Sequence, residues 1–179
     1  MTIYDAAANR IAKRRKSLRL AHVDYASSGA YFVTICVKEM KQALGKIDSG
    51  QMNLNQLGHI AEQEWSTLPH HYDNVELDEF VIMPNHMHGI LWIAGTNSAQ
   101  EAVGAGLKPA PTQHGLSEIM RGYKTFSARK ISKLRNSVSS QFWQRGFYEH
   151  IISDEVDLEN HRGYVINNPL KWALDEYHL

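Results

Sequence analysis

The run Val75-Glu-Leu-Asp-Glu-Phe-Val-Ile-Met-Pro-Asn-His-Met-His-Gly-Ile-Leu-Trp-Ile93 constrains the fold of this chain more than any other stretch. Val75 to Met83 and His86 to Ile93 are rich in β-branched and aromatic residues, and Pro84-Asn85 between them suits a turn, so two consecutive strands are predicted. Alternate residues of a strand share a face. His86 and His88 therefore project together while Met87 faces the opposite side. Two neutral imidazoles at that spacing can share one divalent metal. A pair of solvated or backbone-bonded histidines would give the same pattern, so the decision rests with the rest of the chain.

The other elements follow from periodicity. Tyr31 to Lys38 predicts a strand with Tyr31, Val33 and Ile35 on one face. Leu57, Ile60, Ala61, Glu64, Trp65 and Leu68 recur at helical spacing. Leu116 to Leu134 predicts a second helix with Ile119, Met120, Tyr123, Phe126, Ser127 and Ile131 toward the core. Phe147 to Ile152 predicts a fourth strand and Asp154 to Asn167 a last helix. Strand, helix, strand, strand, helix, strand is the split βαβ order. The expected fold is thus α+β, a ferredoxin-like antiparallel sheet with helices on one face and an additional C-terminal helix.

A chain of 179 residues, 43% of them hydrophobic, is of single-domain size. We expect a basic arm over residues 1–29 and one domain over 30–179, interrupted by a flexible loop at about 95–115, where small and polar residues are broken by two prolines. Cys36 is the single cysteine, which excludes an intramolecular disulfide and suits a reducing cytoplasm. Neither a signal-peptide h-region nor a run of membrane-spanning length is present. Nineteen basic and nineteen acidic residues cancel, but their distribution is uneven. Arg10, Lys13, Arg14, Arg15, Lys16 and Arg19 form an acid-free block, and Lys124, Arg129, Lys130, Lys133 and Arg135 form another on the predicted helix. Either block can neutralise phosphates, and either can be an ordinary solvated face.

The last helix carries the second chemical signal. Ser153 is placed to cap it, with Asp154, Glu155 and Asp157 in the first turn, where the helix dipole favours acid. Tyr164 and Asn168 are four residues apart and share a face. Pro169 disfavours helical geometry at Asn168, which puts that amide in a fraying last turn, able to aim its oxygen at a metal held by His86 and His88. Asn167, about 100° around the helix, is the alternative third ligand.

With these residues in view, the chain resembles the REP-associated tyrosine transposases, relatives of the single-tyrosine HUH transposases. The resemblance rests on Arg14-Arg-Lys-Ser-Leu-Arg-Leu20, Tyr25 and Gly29-Ala-Tyr-Phe-Val-Thr-Ile-Cys36 at the start, and on Met83-Pro-Asn-His-Met-His-Gly89 in the middle. It is completed by Phe142-Trp-Gln-Arg-Gly-Phe-Tyr-Glu-His150 and Tyr164-Val-Ile-Asn-Asn-Pro169, in the family's order over nearly the whole chain. It implies an HUH sheet with both histidines on a central strand. It further implies that Tyr164 attacks a phosphate of single-stranded DNA to give a 5′-phosphotyrosine and a free 3′-hydroxyl, which can later reseal or transfer the strand. The bond energy is retained in the link, so a Mg2+ or Mn2+ ion suffices and no nucleotide cofactor is expected. The implied partner is a REP-type hairpin with single-stranded flanks, handled by a monomer or homodimer in the cytoplasm, at the nucleoid.

A phenol with a pKa near ~10 is a poor nucleophile until its phenolate is favoured, which is why a metal and convergent donors matter. Tyr123, at helical spacing with Met120 and Phe126, and Tyr148, among Phe142, Trp143 and Phe147, are the rival nucleophiles. The block Arg10, Lys13, Arg14, Arg15, Lys16 and Arg19, together with Gln144 and Arg145, are the expected DNA contacts. His150 and Glu149 are candidates to orient a ligand, and His161 to accept a proton. Two further readings fit the same residues: a hydrolytic nuclease in which Tyr164 only packs, and a catalytically idle nucleic-acid-binding protein on the same fold.

Overall fold

The structure is a computed structural model that describes residues 28–95, 114–136 and 141–178. The expected basic arm, with Arg10, Lys13, Arg14, Arg15, Lys16 and Arg19, and most of the expected loop lie outside the described residues. In chain order the elements are β1 (Gly29–Cys36), β2 (Gly45–Asp48), β3 (Gln51–Leu54), α1 (Gln56–Ser66), α2 (Leu68–His71), β4 (Val75–Ile82), β5 (His86–Ile93), α3 (Leu116–Leu134), β6 (Tyr148–Ile151) and α4 (Glu155–Asn167). A 3-10 helix over Pro169–Leu174 follows.

The main sheet has the order β4-β5-β1-β6, with every neighbouring pair antiparallel. This is the expected ferredoxin-like arrangement, with β5 and β1 at its centre. The pleat sorts their side chains by parity. Tyr31, Val33 and Ile35 from β1 and Met87, Leu91 and Ile93 from β5 enter the larger core, which holds Ala61 and Trp65 of α1 and Ile119, Met120, Tyr123 and Ile131 of α3. Phe32 and Ile90 point to the other face, where Leu158 and Val165 of α4 cover them. The tyrosine-bearing helix therefore packs on the face opposite α1 and α3, the same face that carries both histidines.

Local chemistry explains most boundaries and corrects some expectations. The Asn55 side chain caps α1 by accepting from the Leu57 and Gly58 N–H groups. Asp154, not Ser153, caps α4, its Oδ1 accepting from the Asp157 N–H at 2.9 Å. Phe126 was placed in the core but is 45% exposed, because it falls beside the stripe Ile119, Met120, Tyr123, Ser127 and Ile131, and its ring stacks on that of His71. The β2–β3 hairpin was not anticipated. Its turn uses Ser49 (φ 51°) and Gly50 (φ 75°), the two consecutive left-handed residues that a tight hairpin demands. Asn168 is helical (φ −59°, ψ −44°) despite preceding proline, and Pro169 opens a new 3-10 helix instead of ending the path.

Candidate active site

The register of β1 against β5 places Thr34 beside His88 and Cys36 beside His86. Both histidines are buried, as are Thr34, Asn85 and Asn168. His86 Nδ1 lies 2.8 Å from Asn85 Oδ1. Asn85 Nδ2 already donates to the carbonyls of Tyr177 (2.7 Å) and Met40 (3.2 Å), so its oxygen faces His86 and must accept from Nδ1–H. The Nε2 of His86 is thereby left with a lone pair aimed at the Nε2 of His88, 2.9 Å away. Thr34 Oγ1 sits 2.8 Å from His88 Nδ1 and can accept from it, which turns the second Nε2 lone pair to the same point. Burial, reinforced by the other imidazole, holds His86 well below the usual histidine range. Burial likewise pushes His88 down to about 3, with His161 adding to the shift. Both rings are therefore neutral, as metal ligands must be.

The other donors come from α4 and the segment after it. Tyr164 Oη is 3.3 Å from His88 Nε2, and the rings are 5.0 Å apart. Asn168 Nδ2 donates to Asp175 Oδ2 at 2.8 Å, while Asn168 Oδ1 is a buried oxygen without a hydrogen-bond partner. A buried acceptor left unpaired is costly, and a cation is one way to satisfy it. Asp175 also lies in the cluster, since its carboxylate and one nitrogen from each of His86 and His88 are mutually within 4.8 Å. Its pKa is raised by burial. Trp172 and Tyr177 wall the group, the Tyr177 ring lying 4.5 Å from that of His86.

This arrangement suits a divalent cation. Two ligands at right angles on an octahedral ion with bonds of about 2.1 Å are about 3 Å apart, close to the 2.9 Å between the two Nε2 atoms. Two imidazoles and the Asp175 carboxylate leave positions open for further ligands, unlike a closed structural site.

The remaining expected residues separate clearly. Tyr123 is buried in the larger core, its hydroxyl donating to the Ala61 carbonyl, and it is distant in role from the histidines. Tyr148 packs beside Phe32. Gln144 and Arg145 border a cleft of about 410 Å3 with Arg121, Lys124, Phe142 and Phe147. Lys124 closes one wall of that cleft by donating to the carbonyls of Gln144 (2.5 Å), Arg145 (3.3 Å) and Gly146 (3.0 Å). The Asn167 amide nitrogen donates back to the Gly163 carbonyl at 2.7 Å. Asp175, Asn85 and Thr34 were missed. Only Asn85, directly before His86, had a sequence signal; the others depend on strand pairing and on the path after Pro169.

Two imidazoles stand on a central strand of a ferredoxin-like sheet, and a helix on the same face brings one tyrosine to them. No family model matches the chain. It is 39% identical over 173 residues to an uncharacterized Haemophilus influenzae protein, covering 92% of this chain and 93% of the relative. It is 26% identical over 149 residues to a Haemophilus influenzae protein assigned provisionally as a REP-associated tyrosine transposase, covering 83% of this chain and 74% of that one. Its fold is similar to that of a REP-associated tyrosine transposase solved with a REP hairpin, with a TM-score of 0.60 at 18% identity over 90% of this chain and 77% of the other. At that identity the likeness shows that the chain shares the fold of that transposase structure.

Proposed function

We propose that the protein is a metal-dependent DNA strand transferase that cleaves single-stranded DNA next to a REP-type hairpin, with Tyr164 as nucleophile and His86, His88 and Asn168 as metal ligands. The observation that carries this reading is the position of Tyr164 Oη, 3.3 Å from a buried imidazole nitrogen of the pair His86 and His88. The buried, unpartnered Oδ1 of Asn168, a side chain that donates to the clustered Asp175, supports that amide as a ligand. The relative named as a REP-associated tyrosine transposase and the hairpin-bound structure of similar fold support the substrate class.

The residues divide the work. Asn85 and Thr34 hold the two imidazoles in the tautomer that turns both Nε2 atoms inward. The capped helix α4 fixes Tyr164 at the rim, half-buried, where its oxygen can reach a phosphorus from one side. When bound, Mg2+ or Mn2+ supplies Lewis-acid polarisation of the scissile phosphate, Mn2+ tolerating the imidazoles better. Attack by Tyr164 Oη forms the phosphotyrosine bond and breaks the bond to the 3′ oxygen, which leaves as a hydroxyl. Asp175 adds charge to the ligand group. The cations between Arg10 and Arg19, with Gln144 and Arg145, are the proposed DNA contacts.

The test is incubation of the full chain with a labelled hairpin bearing single-stranded flanks and Mn2+, followed by denaturing electrophoresis. A label shifted to protein size in the wild type, absent in Tyr164→Phe and in His86→Ala, is the expected outcome. Cleavage without any shifted band would move the reaction to hydrolysis, and retention of the adduct in Tyr164→Phe would move the nucleophile elsewhere.

A further inference from the structure

A second group of ligand-type side chains lies on the same sheet face, starting one helical turn before Tyr164. β6 presents His150, opposite Phe32 in the register, and α4 presents Asp157 and His161, four residues apart. His150 Nε2 is 2.8 Å from Asp157 Oδ2, and His161 Nδ1 is 3.1 Å from Asp157 Oδ1 and 2.8 Å from the Asp157 carbonyl oxygen. The two imidazoles stack at 4.7 Å with 21° between their planes, which turns both edges toward the one carboxylate. One ligand atom from each residue lies within 4.8 Å of the other two, and no residue is shared with the cluster around His86 and His88.

We propose that His150, Asp157 and His161 form a second cation site, selective for a borderline transition ion of the zinc type, which pins the tyrosine-bearing helix to the edge strand of its own sheet. The donor set decides the class of ion. Two nitrogens and one carboxylate match zinc, whereas magnesium and calcium favour oxygen cages. At zinc bond lengths of about 2.1 Å, ligands of a tetrahedral ion stand about 3.4 Å apart. The observed separations of 2.8 and 3.1 Å, each to a different oxygen of the Asp157 carboxylate, would open by about 0.6 and 0.3 Å. Coordination moves the His161 proton from Nδ1 to Nε2, leaving the carbonyl contact to the helix backbone alone. The side chain of His150 is 38% exposed and that of His161 10%, so the ion has an entry side and a floor, with the fourth position open to water.

The connection from β6 to α4 is only Ile152, Ser153 and Asp154, and an ion across it would bind strand and helix together. His161 also packs on Phe32 at 4.7 Å, and Phe32 stacks on His88 at 5.3 Å. A helix held this way keeps its tyrosine over its own histidines.

The experiment is titration of the full chain with Co2+, read by visible absorption and by equilibrium dialysis. It compares the wild type, a His86→Ala/His88→Ala variant, and that variant with either His161→Gln or His150→Gln added. The expected stoichiometry is two ions for the wild type, one for the double variant and none for either triple variant, with Zn2+ but not excess Mg2+ displacing the remaining Co2+. Hydrogen exchange of the α4 amides slows when Zn2+ is added to the double variant. An absence of bound Co2+ in the double variant, or a retained ion in both triple variants, overturns the site. His150→Gln, at the more exposed position, guards against a folding defect from the buried His161. The readout is metal stoichiometry in protein whose first cluster has been dismantled, so it is independent of whether Tyr164 performs chemistry.

Discussion

A residue's neighbours are set either by the period of its own element or by the pairing between elements. His86 and His88 share a face because a strand alternates, and Tyr164 and Asn168 share one because a helix repeats. Thr34 is fifty-four positions from His88 and meets it only because β1 pairs with β5 in one register. Asp175 reaches the group only because the chain turns back after Pro169. Thr34 gives the residue-scale test. Thr34→Val keeps the shape and removes the oxygen facing His88 Nδ1, so the inward tautomer loses its support. Loss of such an orienting partner weakens metal affinity by about 10–100-fold, and calorimetry with Mn2+ should show this with the thermal midpoint nearly unchanged. An affinity equal to wild type would mean that Thr34 does not set the tautomer.

Elements show the same division. β1, β4, β5, α1, α3 and α4 were legible because long stretches keep one period, and the short β6 through its aromatic run from Phe147, but the β2–β3 hairpin has only four residues a side and its signal was the Ser49-Gly50 turn. Gly89 illustrates what only packing reveals. A Cβ there would lie 2.4 Å from Cζ2 of the fully buried Trp65, so strand β5 lies against α1 with no room for a methyl. Gly89→Ala should destabilise the fold by about 1–3 kcal/mol, the usual cost of overpacking, measured by urea unfolding; a neutral effect would mean that Trp65 moves freely. The other test concerns the bulge in β4, where Asp78 and Glu79 stand between the paired residues Leu77 and Phe80. Asp78 accepts from Arg162 Nε (2.8 Å) and Nη2 (2.6 Å) and from Trp92 Nε1 (3.2 Å), tying α4 to the sheet. The hydrogen bonds from Arg162 hold its carboxyl down at about 2. A depressed folded-state pKa contributes stability that is complete above the unfolded value near ~3.9 and is lost as pH falls through the folded value. Asp78→Asn should therefore cost about 1–2 kcal/mol near neutrality, and the gap to wild type should close between pH ~4 and ~2. A gap that is constant with pH would assign the loss to packing.

On the scale of the whole molecule, a net charge of zero conceals a separation. Residues 1–27 carry six basic and two acidic side chains, leaving thirteen basic and seventeen acidic in the remainder. The described residues therefore belong to an acidic body, a poor match for a polyanion unless its cations are concentrated. The basic block on α3 is partly spent internally: Lys124 is committed to three backbone carbonyls, and Lys130 is paired with the buried Glu64 carboxylate. Arg129, Lys133 and Arg135 remain exposed. Under the proposed function, phosphate affinity must then come chiefly from Arg10, Lys13, Arg14, Arg15, Lys16 and Arg19. Each neutralised phosphate contributes about −0.7 on single strands, or −0.9 on duplex, to the slope of log affinity against log salt. A chain beginning at Ser28 should lose about 4–5 units of that slope if all six cations engage, with a fold unchanged by circular dichroism. Fluorescence anisotropy with a labelled hairpin across roughly 50–200 mM salt measures it. A slope equal to that of the full chain would assign the phosphates to exposed cations of the body, Arg129, Lys133, Arg135 and Arg145 among them, and charge reversal at those four would then weaken binding that the arm truncation leaves intact.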